Sequence, residues 1–140
     1  MPDPSLFLGL ISGTSADGID AALVRFDDGH ARLVFGRTYP WDAALRARLV
    51  ELGQQAAKLT LDEIGELDVR IARAFADAAL QALADSGTDA RDVAALGSHG
   101  QTLRHRPHGP HPFTLQLGDP STLAEHTGVR VVADFRRRDV

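Results

Sequence analysis

The sequence predicts one mixed α/β unit, a three-strand meander followed by helix-strand units, and three observations carry that expectation. Apolar runs of strand composition fill the first part of the chain, from Leu6 to Tyr39. A long amphipathic periodicity then extends from Thr60 to Ser86. After it come short apolar runs at Val93 and Val129, with a strand-like stretch and a brief helix between them, the order expected when strands are added to an existing sheet.

The elements follow in order. Leu6 to Ile11 has the length and composition of a buried strand, and Ala21 to Phe26, interrupted by Arg25, makes a second. Asp27-Asp28-Gly29 is a turn, Ala31 to Tyr39 alternates as a third strand, and Pro40 stops it. From Asp42 the pattern is helical, with Leu45, Leu49 and Leu52 on one face and Gly53 at the end. Thr60-Leu61-Asp62-Glu63 is a capping box: the Thr60 hydroxyl can accept from the Glu63 N-H while the Glu63 carboxylate reaches back. The helix it opens carries Ile64, Leu67, Ile71, Phe75, Ala78, Ala79, Ala82 and Leu83 on one side, and Ser86-Gly87 ends it. Val93 to Leu96 is a short strand expected to stop at Gly97-Ser98-His99-Gly100-Gln101 and to lie parallel to an earlier one. Arg104 to Pro112 is too irregular for either element, and Phe113 to Leu117 alternates as a returning strand. Asp119-Pro120 caps a short helix with Leu123 and Ala124 facing inward, Thr127-Gly128 closes it, and Val129 to Ala133 is a last strand.

Composition removes several function classes. The 140 residues, 44% of them hydrophobic, suffice for one modest core or for a piece of a larger one. With a formal net charge of −4 and no basic block except Arg136 to Arg138, nucleic acid is not an expected partner. The absence of cysteine removes disulfides, thiolate metal sites and cysteine nucleophiles. No apolar run approaches membrane-spanning length, and Met1 to Ser5 lacks the positive segment of a secretory signal, so no membrane partner and a cytoplasmic location are expected. Of the 15 basic residues only Lys58 is lysine, which reads as coding bias.

The most chemical stretch is Gly9-Leu10-Ile11-Ser12-Gly13-Thr14-Ser15-Ala16-Asp17-Gly18-Ile19-Asp20. Gly13 and Gly18 permit positive φ, and Ser12, Thr14 and Ser15 add hydroxyls to a row of backbone N-H groups that can wrap a phosphate. An ordinary hairpin turn is the competing interpretation. The loop is longer than a tight hairpin needs, and carboxylates beside a phosphate cradle imply a divalent cation. The backbone from Gly13 to Asp17 would then receive the β and γ phosphates of ATP, with Asp17 or Asp20 holding Mg²⁺ directly or through water. Asp20 is as well explained as a solvent-facing residue at a strand start. No Gly-Lys-Ser/Thr follows, so this is not a Walker A loop.

His99 and Gln101, set about glycines at an expected strand end, could face a cleft, although a lone histidine is often structural. His105, His108 and His111 lack zinc-site spacing and are expected to be surface loop residues. One of Arg136, Arg137 and Arg138, beside Asp134 and Asp139, is expected to clamp an anion or sugar, and spacing does not decide which. No Gly-x-Ser-x-Gly elbow supports a serine hydrolase.

The element order matches the ribonuclease-H-like lobe of sugar kinases, actin and Hsp70-type chaperones, here incomplete; this is analogy at the level of fold. Three stretches together resemble the anhydro-N-acetylmuramic acid kinase family: Gly9 to Asp20, Gly97 to Pro107, and Thr114 to Asp119 leading to Thr127 to Asp139. The resemblance implies an ATP-dependent bacterial enzyme of cell-wall recycling. It opens the 1,6-anhydro bond of anhydro-N-acetylmuramic acid with water and phosphorylates O6. The family's ATP loop maps onto Gly13, Thr14, Ser15, Ala16, Asp17, Gly18, Ile19 and Asp20, with Ala16 in place of the usual leucine, a swap that alters packing more than phosphate binding. His99, Gln101 and Arg136 are the candidate sugar contacts, and Asp17 the candidate metal ligand. Family members are longer, two-lobed and typically homodimeric, so residues 1–140 correspond to the N-terminal part of the first lobe. The general base, second phosphate loop and adenosine pocket lie in later segments, so no catalytic residue is assigned, Asp134 and Asp139 included, and the 140-residue chain is expected not to turn over. The competing reading is a non-catalytic nucleotide or sugar binding module of the same fold, with an ATPase-like regulator behind it.

Overall fold

The computed structural model describes residues 5–54 and 58–140; of the N-terminal segment Met1 to Ser5, in which no secretory signal is expected, all but Ser5 lies outside them. Strands β1 (Ser5–Ser12), β2 (Ile19–Asp27) and β3 (His30–Tyr39) precede helices α1 (Ala43–Gln54) and α2 (Leu61–Asp85). Then come β4 (Val93–Arg106), β5 (Phe113–Leu117), α3 (Pro120–Thr127) and β6 (Val131–Ala133), with 3₁₀ turns at Ala90–Asp92 and Arg136–Asp139. The strands form one mixed sheet in the order β3-β2-β1-β4-β5, with β6 on the edge of β4 that its first half leaves open. β2 is antiparallel to β1 and β3, whereas β4 is parallel to β1 and β6 and antiparallel to β5. The predicted meander and the parallel strand after the long helix are both present.

The period of each sequence pattern explains the packing. Leu6, Leu8 and Leu10 alternate along β1 into the core, while Phe7 is half-buried and Gly9 and Ile11 are exposed on the other face. α2 supplies the opposing surface with Leu67, Ile71, Phe75, Ala79, Ala82 and Leu83 at helical spacing. Phe75 is fully buried, and its ring lies 5.8 Å from that of Trp41, which thereby anchors the segment between β3 and α1 to the core.

One half of the predicted capping box forms. Thr60 Oγ1 accepts from the Glu63 N-H at 3.1 Å, but the Glu63 carboxylate lies instead 3.8 Å from the Arg48 guanidinium on α1. At α3 the cap is fuller: Asp119 accepts from the N-H groups of Ser121 and Thr122 and from the Thr122 hydroxyl. The hydroxyl bond is the larger cause of an Asp119 carboxyl held below its ordinary range. A depressed folded pKa means that the folded chain binds fewer protons, so this stability is present above the unfolded value and lost as pH falls through the folded one. Asp119→Asn keeps an acceptor at the cap and removes the charge. It is expected to cost less than about 1 kcal/mol at pH 7 and to flatten the acid limb of Tm against pH; superimposable limbs would refute the assignment.

The main departure concerns β4. It does not stop at Leu96 but runs on through Gly97-Ser98-His99-Gly100-Gln101 to Arg106, so only residues 107–112 of the expected irregular segment are irregular. Gly97 and Gly100 weaken a strand pattern and Arg104-His105-Arg106 leads into a proline-rich stretch, but this second half gains a ladder to β5, from Gln101↔Leu117 to Arg106↔Phe113. Tertiary pairing overrides local propensity here. The strand survives a bulge at Gly100, where φ is +73°: Leu10 faces Ser98 and Ser12 faces Gln101, so one extra residue is absorbed on β4. That insertion shifts the phase of the buried face by one residue, from Leu96 and Ser98 before it to Gln101 and Leu103 after it. The last strand is also shorter than expected, with Val129 buried ahead of it.

Candidate functional site

The connection from β1 to β2, residues 13–18, begins where β1 ends opposite Gln101, just past the bulge, while β4 runs on beside it. Its base is fixed by Ser12, whose Oγ accepts from the Trp41 indole N-H at 3.2 Å in a buried contact. The Ala16 N-H donates to the Gly13 carbonyl at 3.0 Å and closes a turn. Contrary to the sequence expectation, neither Gly13 nor Gly18 takes positive φ; the left-handed residue is Ala16, at φ 51°, and it is fully buried. A left-handed alanine costs roughly 1 kcal/mol, so the surroundings must hold it. Gly18 is needed for another reason, since a Cβ there would lie 2.4 Å from Thr38 Cγ2 and 3.1 Å from the Tyr39 carbonyl.

Two side chains hold the loop by its carbonyl oxygens. Gln101 Nε2 donates to Gly13 O at 3.0 Å, and Arg46 Nε, from α1, donates to Ala16 O at 2.9 Å. Among the described residues, the N-H groups of Thr14, Ser15 and Asp17 meet no hydrogen-bond acceptor. The Asp17 carboxylate accepts from the Ser15 hydroxyl at 2.7 Å and lies 3.4 Å from Arg46 Nη2, with its side chain 78% exposed. Ile19 and Asp20 belong to β2: Ile19 is a core residue, and Asp20 accepts a short bond from the Thr38 hydroxyl across the strand pair. Among the described residues, no three His, Cys, Asp or Glu side chains converge as a metal cage.

Beside Thr14 opens a cavity of about 330 Å³, bordered by Thr102, Arg104, His105 and Arg106 of β4. Arg104 Nη1 donates to the carbonyls of Leu52 and Leu103, and His105 Nδ1 lies 3.2 Å from the Thr114 hydroxyl. His105 is therefore a strand residue near the loop and not the loop residue expected from its proline-rich context, whereas His108 and His111 do lie in the exposed connection. Neither Arg46 nor this basic wall was singled out from the sequence. Arg46 looks like any polar helix position, and the wall exists only because β4 continues.

The three candidate sugar residues are not brought together. Gln101 is 2% exposed and turned to the loop. His99 lines a separate cavity of about 300 Å³ with Ser98, Gln116, Asp134 and Arg137; its Nδ1 is 3.0 Å from the Gly100 carbonyl and its ring meets Phe135 edge-on. Arg136 sits in the final 3₁₀ turn, with Nε 3.2 Å from the Asp139 carboxylate, and Arg137 pairs with Asp134 at 3.0 Å. Among the described residues, no helix is long and apolar enough to cross a membrane.

Comparison with known proteins bears on the whole chain. An anhydro-N-acetylmuramic acid kinase of Xanthomonas axonopodis pv. citri is 58% identical over 99% of this chain, and one of Vibrio vulnificus is 46% identical over all of it. In each case the chain spans about 38% of the length of the curated relative. A solved structure of YeaZ from Pseudomonas aeruginosa aligns over 93% of this chain and 43% of its own, at 17% identity and a TM-score of 0.30, too distant to inform the fold. The family model described as anhydro-N-acetylmuramic acid kinase matches residues 5–140, and the chain belongs to that family.

Proposed function

We propose that this chain is the N-terminal part of the first lobe of a two-lobed, ribonuclease-H-like sugar kinase that acts in the cytoplasm as a homodimer. The proposed reaction converts 1,6-anhydro-N-acetylmuramic acid, ATP and water to N-acetylmuramic acid 6-phosphate and ADP. The observation that carries the phosphate part is the loop backbone. Its carbonyls at Gly13 and Ala16 are tied back by Gln101 and Arg46, which leaves the N-H groups of Thr14, Ser15 and Asp17 as donors without acceptors. Such a row suits the β and γ phosphates of ATP. Gly13 and Gly18 shape the turn, Ala16 closes it, and Ile19 and Asp20 root it in β2.

The donor set also suits Mg²⁺. That ion is usually held by one or two carboxylates together with substrate phosphates and water, so Asp17, exposed beside the free N-H groups, needs no further protein ligand. When bound, Mg²⁺ would neutralise charge on the phosphoryl oxygens. Gln101 serves this chemistry by holding Gly13, a role its burial favours over direct sugar contact. His99, with Asp134 and Arg137 around its cavity, and Arg136 close by in sequence are the groups proposed for the sugar. The general base and adenosine pocket are assigned to the part of the family's length that this chain does not span.

Calorimetric titration tests the proposal. The chain is expected to bind ATP with Mg²⁺ more tightly than AMP, and to turn over neither ATP nor anhydro sugar. Equal affinity for ATP and AMP would sink the phosphate loop, and turnover would sink the division of labour.

A further inference from the structure

We propose that Arg46 is a direct phosphate ligand of this loop, held in reserve by Asp17 until a cation takes the carboxylate. The inference rests on the phosphate-loop reading above and adds to it a cationic side chain from another element. Arg46 approaches through two of its nitrogens: Nε is fixed on the Ala16 carbonyl at 2.9 Å, and Nη2 lies 3.4 Å from Asp17 Oδ1. The Nε bond is of ordinary length and to backbone, and it ties the guanidinium to the same loop that carries the N-H groups of Thr14, Ser15 and Asp17. The Nη2 contact is long and solvent-exposed, with side-chain exposures of 47% and 78%. An exposed pair of that kind contributes little to stability. Its geometry makes better sense as a placeholder: Nη groups anchored at one end, carrying donors that a phosphate oxygen can accept more fully than a distant carboxylate does.

The arrangement has a consequence that a purely structural arginine would not share. In the absence of a divalent cation, Asp17 opposes a polyphosphate twice, by repelling it and by engaging Arg46. With Mg²⁺ bound, Asp17 is drawn to the metal and Nη2 is released to the phosphate. The effects of changing the two residues should therefore have opposite signs without metal and the same sign with it.

The probes are inorganic tripolyphosphate and ATP, titrated into the chain by calorimetry with EDTA and again with excess Mg²⁺, with thermal unfolding of each variant run alongside. With EDTA, Asp17→Asn is expected to tighten tripolyphosphate binding about threefold or more, whereas Arg46→Gln weakens it about tenfold. With Mg²⁺, both weaken it. Arg46→Lys keeps the charge but not the fork and should recover only part of the loss. Equal affinities for Arg46→Gln and the parent chain, or an Asp17→Asn variant that weakens binding in EDTA, would overturn the proposal while leaving the loop reading intact. Should the parent chain bind neither probe under either condition, the loop reading fails first and the role of Arg46 with it. A fall in Tm for Arg46→Gln of more than about 5 °C together with unchanged AMP, ATP and tripolyphosphate affinities would assign Arg46 to structure alone and also overturn the proposal.

Discussion

Gly100→Ala is expected to destabilise the chain by about 3 kcal/mol or more, and to do so through the loop as well as the sheet. The residue sits at φ +73°, and a Cβ on its backbone would stand 2.6 Å from the Leu117 carbonyl oxygen and 3.4 Å from Gln116 Cβ. That carbonyl belongs to the ladder through which β5 pairs Gln101 with Leu117, so it cannot move aside without breaking a strand pair. Either the bulge or the β4-β5 register must yield. If the bulge is lost, the side chains beyond it change faces, because the period of a strand is two residues. Gln101 would then leave the buried side and release Gly13. Gly97→Ala is the matched control: it lies on the same strand with nothing within 4 Å of its ideal Cβ, and should change stability by less than about 0.5 kcal/mol. Urea unfolding of the two variants, with ATP binding measured on each, separates a general dislike of alanine in β4 from the specific demand at the bulge. Equal midpoints would show that Gly100 has no special duty.

The same bulge explains what could and could not be seen in the sequence. The meander, the long helix and its Thr60 cap, and the Asp119-Pro120 start of α3 are local features, written in hydrophobic period and cap chemistry, and the structure reproduces them. The length of β4 is not local. Its second half has the composition of a loop, and it is a strand because Phe113–Leu117 returns beside it. From that one non-local fact follow the placement of Gln101 under the loop, of His105 on a strand and of the basic cavity wall. The candidate phosphate loop was legible as a stretch of small polar residues, but its conformation was not. The glycines suggested the left-handed positions, whereas Ala16 takes one because Arg46 and the Gly13 turn hold it there. Its small polar residues located the stretch and family resemblance added the expectation of ATP; the hydrogen bonds to its carbonyls indicate how it is kept open.

Those bonds make Gln101 the position where one atom's change should be felt most. Its amide is 2% exposed, with Nε2 on the Gly13 carbonyl at 3.0 Å and Oε1 without a partner among the described residues. Gln101→Glu replaces the donor by an oxygen of nearly the same shape. Ionised, that oxygen would face a carbonyl oxygen in a buried site, and both desolvation and the lost bond disfavour the charge. Protonated, the carboxyl can donate to Gly13 and restore the contact. The new glutamate should therefore titrate well above the ordinary value of about 4.3, so that the folded state holds its proton more tightly than the unfolded one. For a raised folded pKa, stability falls as pH rises. The variant should match the parent near pH 4, lose ground from there upward, and reach a plateau deficit of about 3 kcal/mol once pH passes the folded pKa. Gln101→Met removes the bond without adding a charge and should cost about 1 to 3 kcal/mol with no added pH dependence. Unfolding free energies from pH 4 to 8 distinguish these cases. A pH-independent deficit for Gln101→Glu would mean that its carboxylate finds water or a cation at the loop, and that the Gly13 carbonyl is not held by a buried donor.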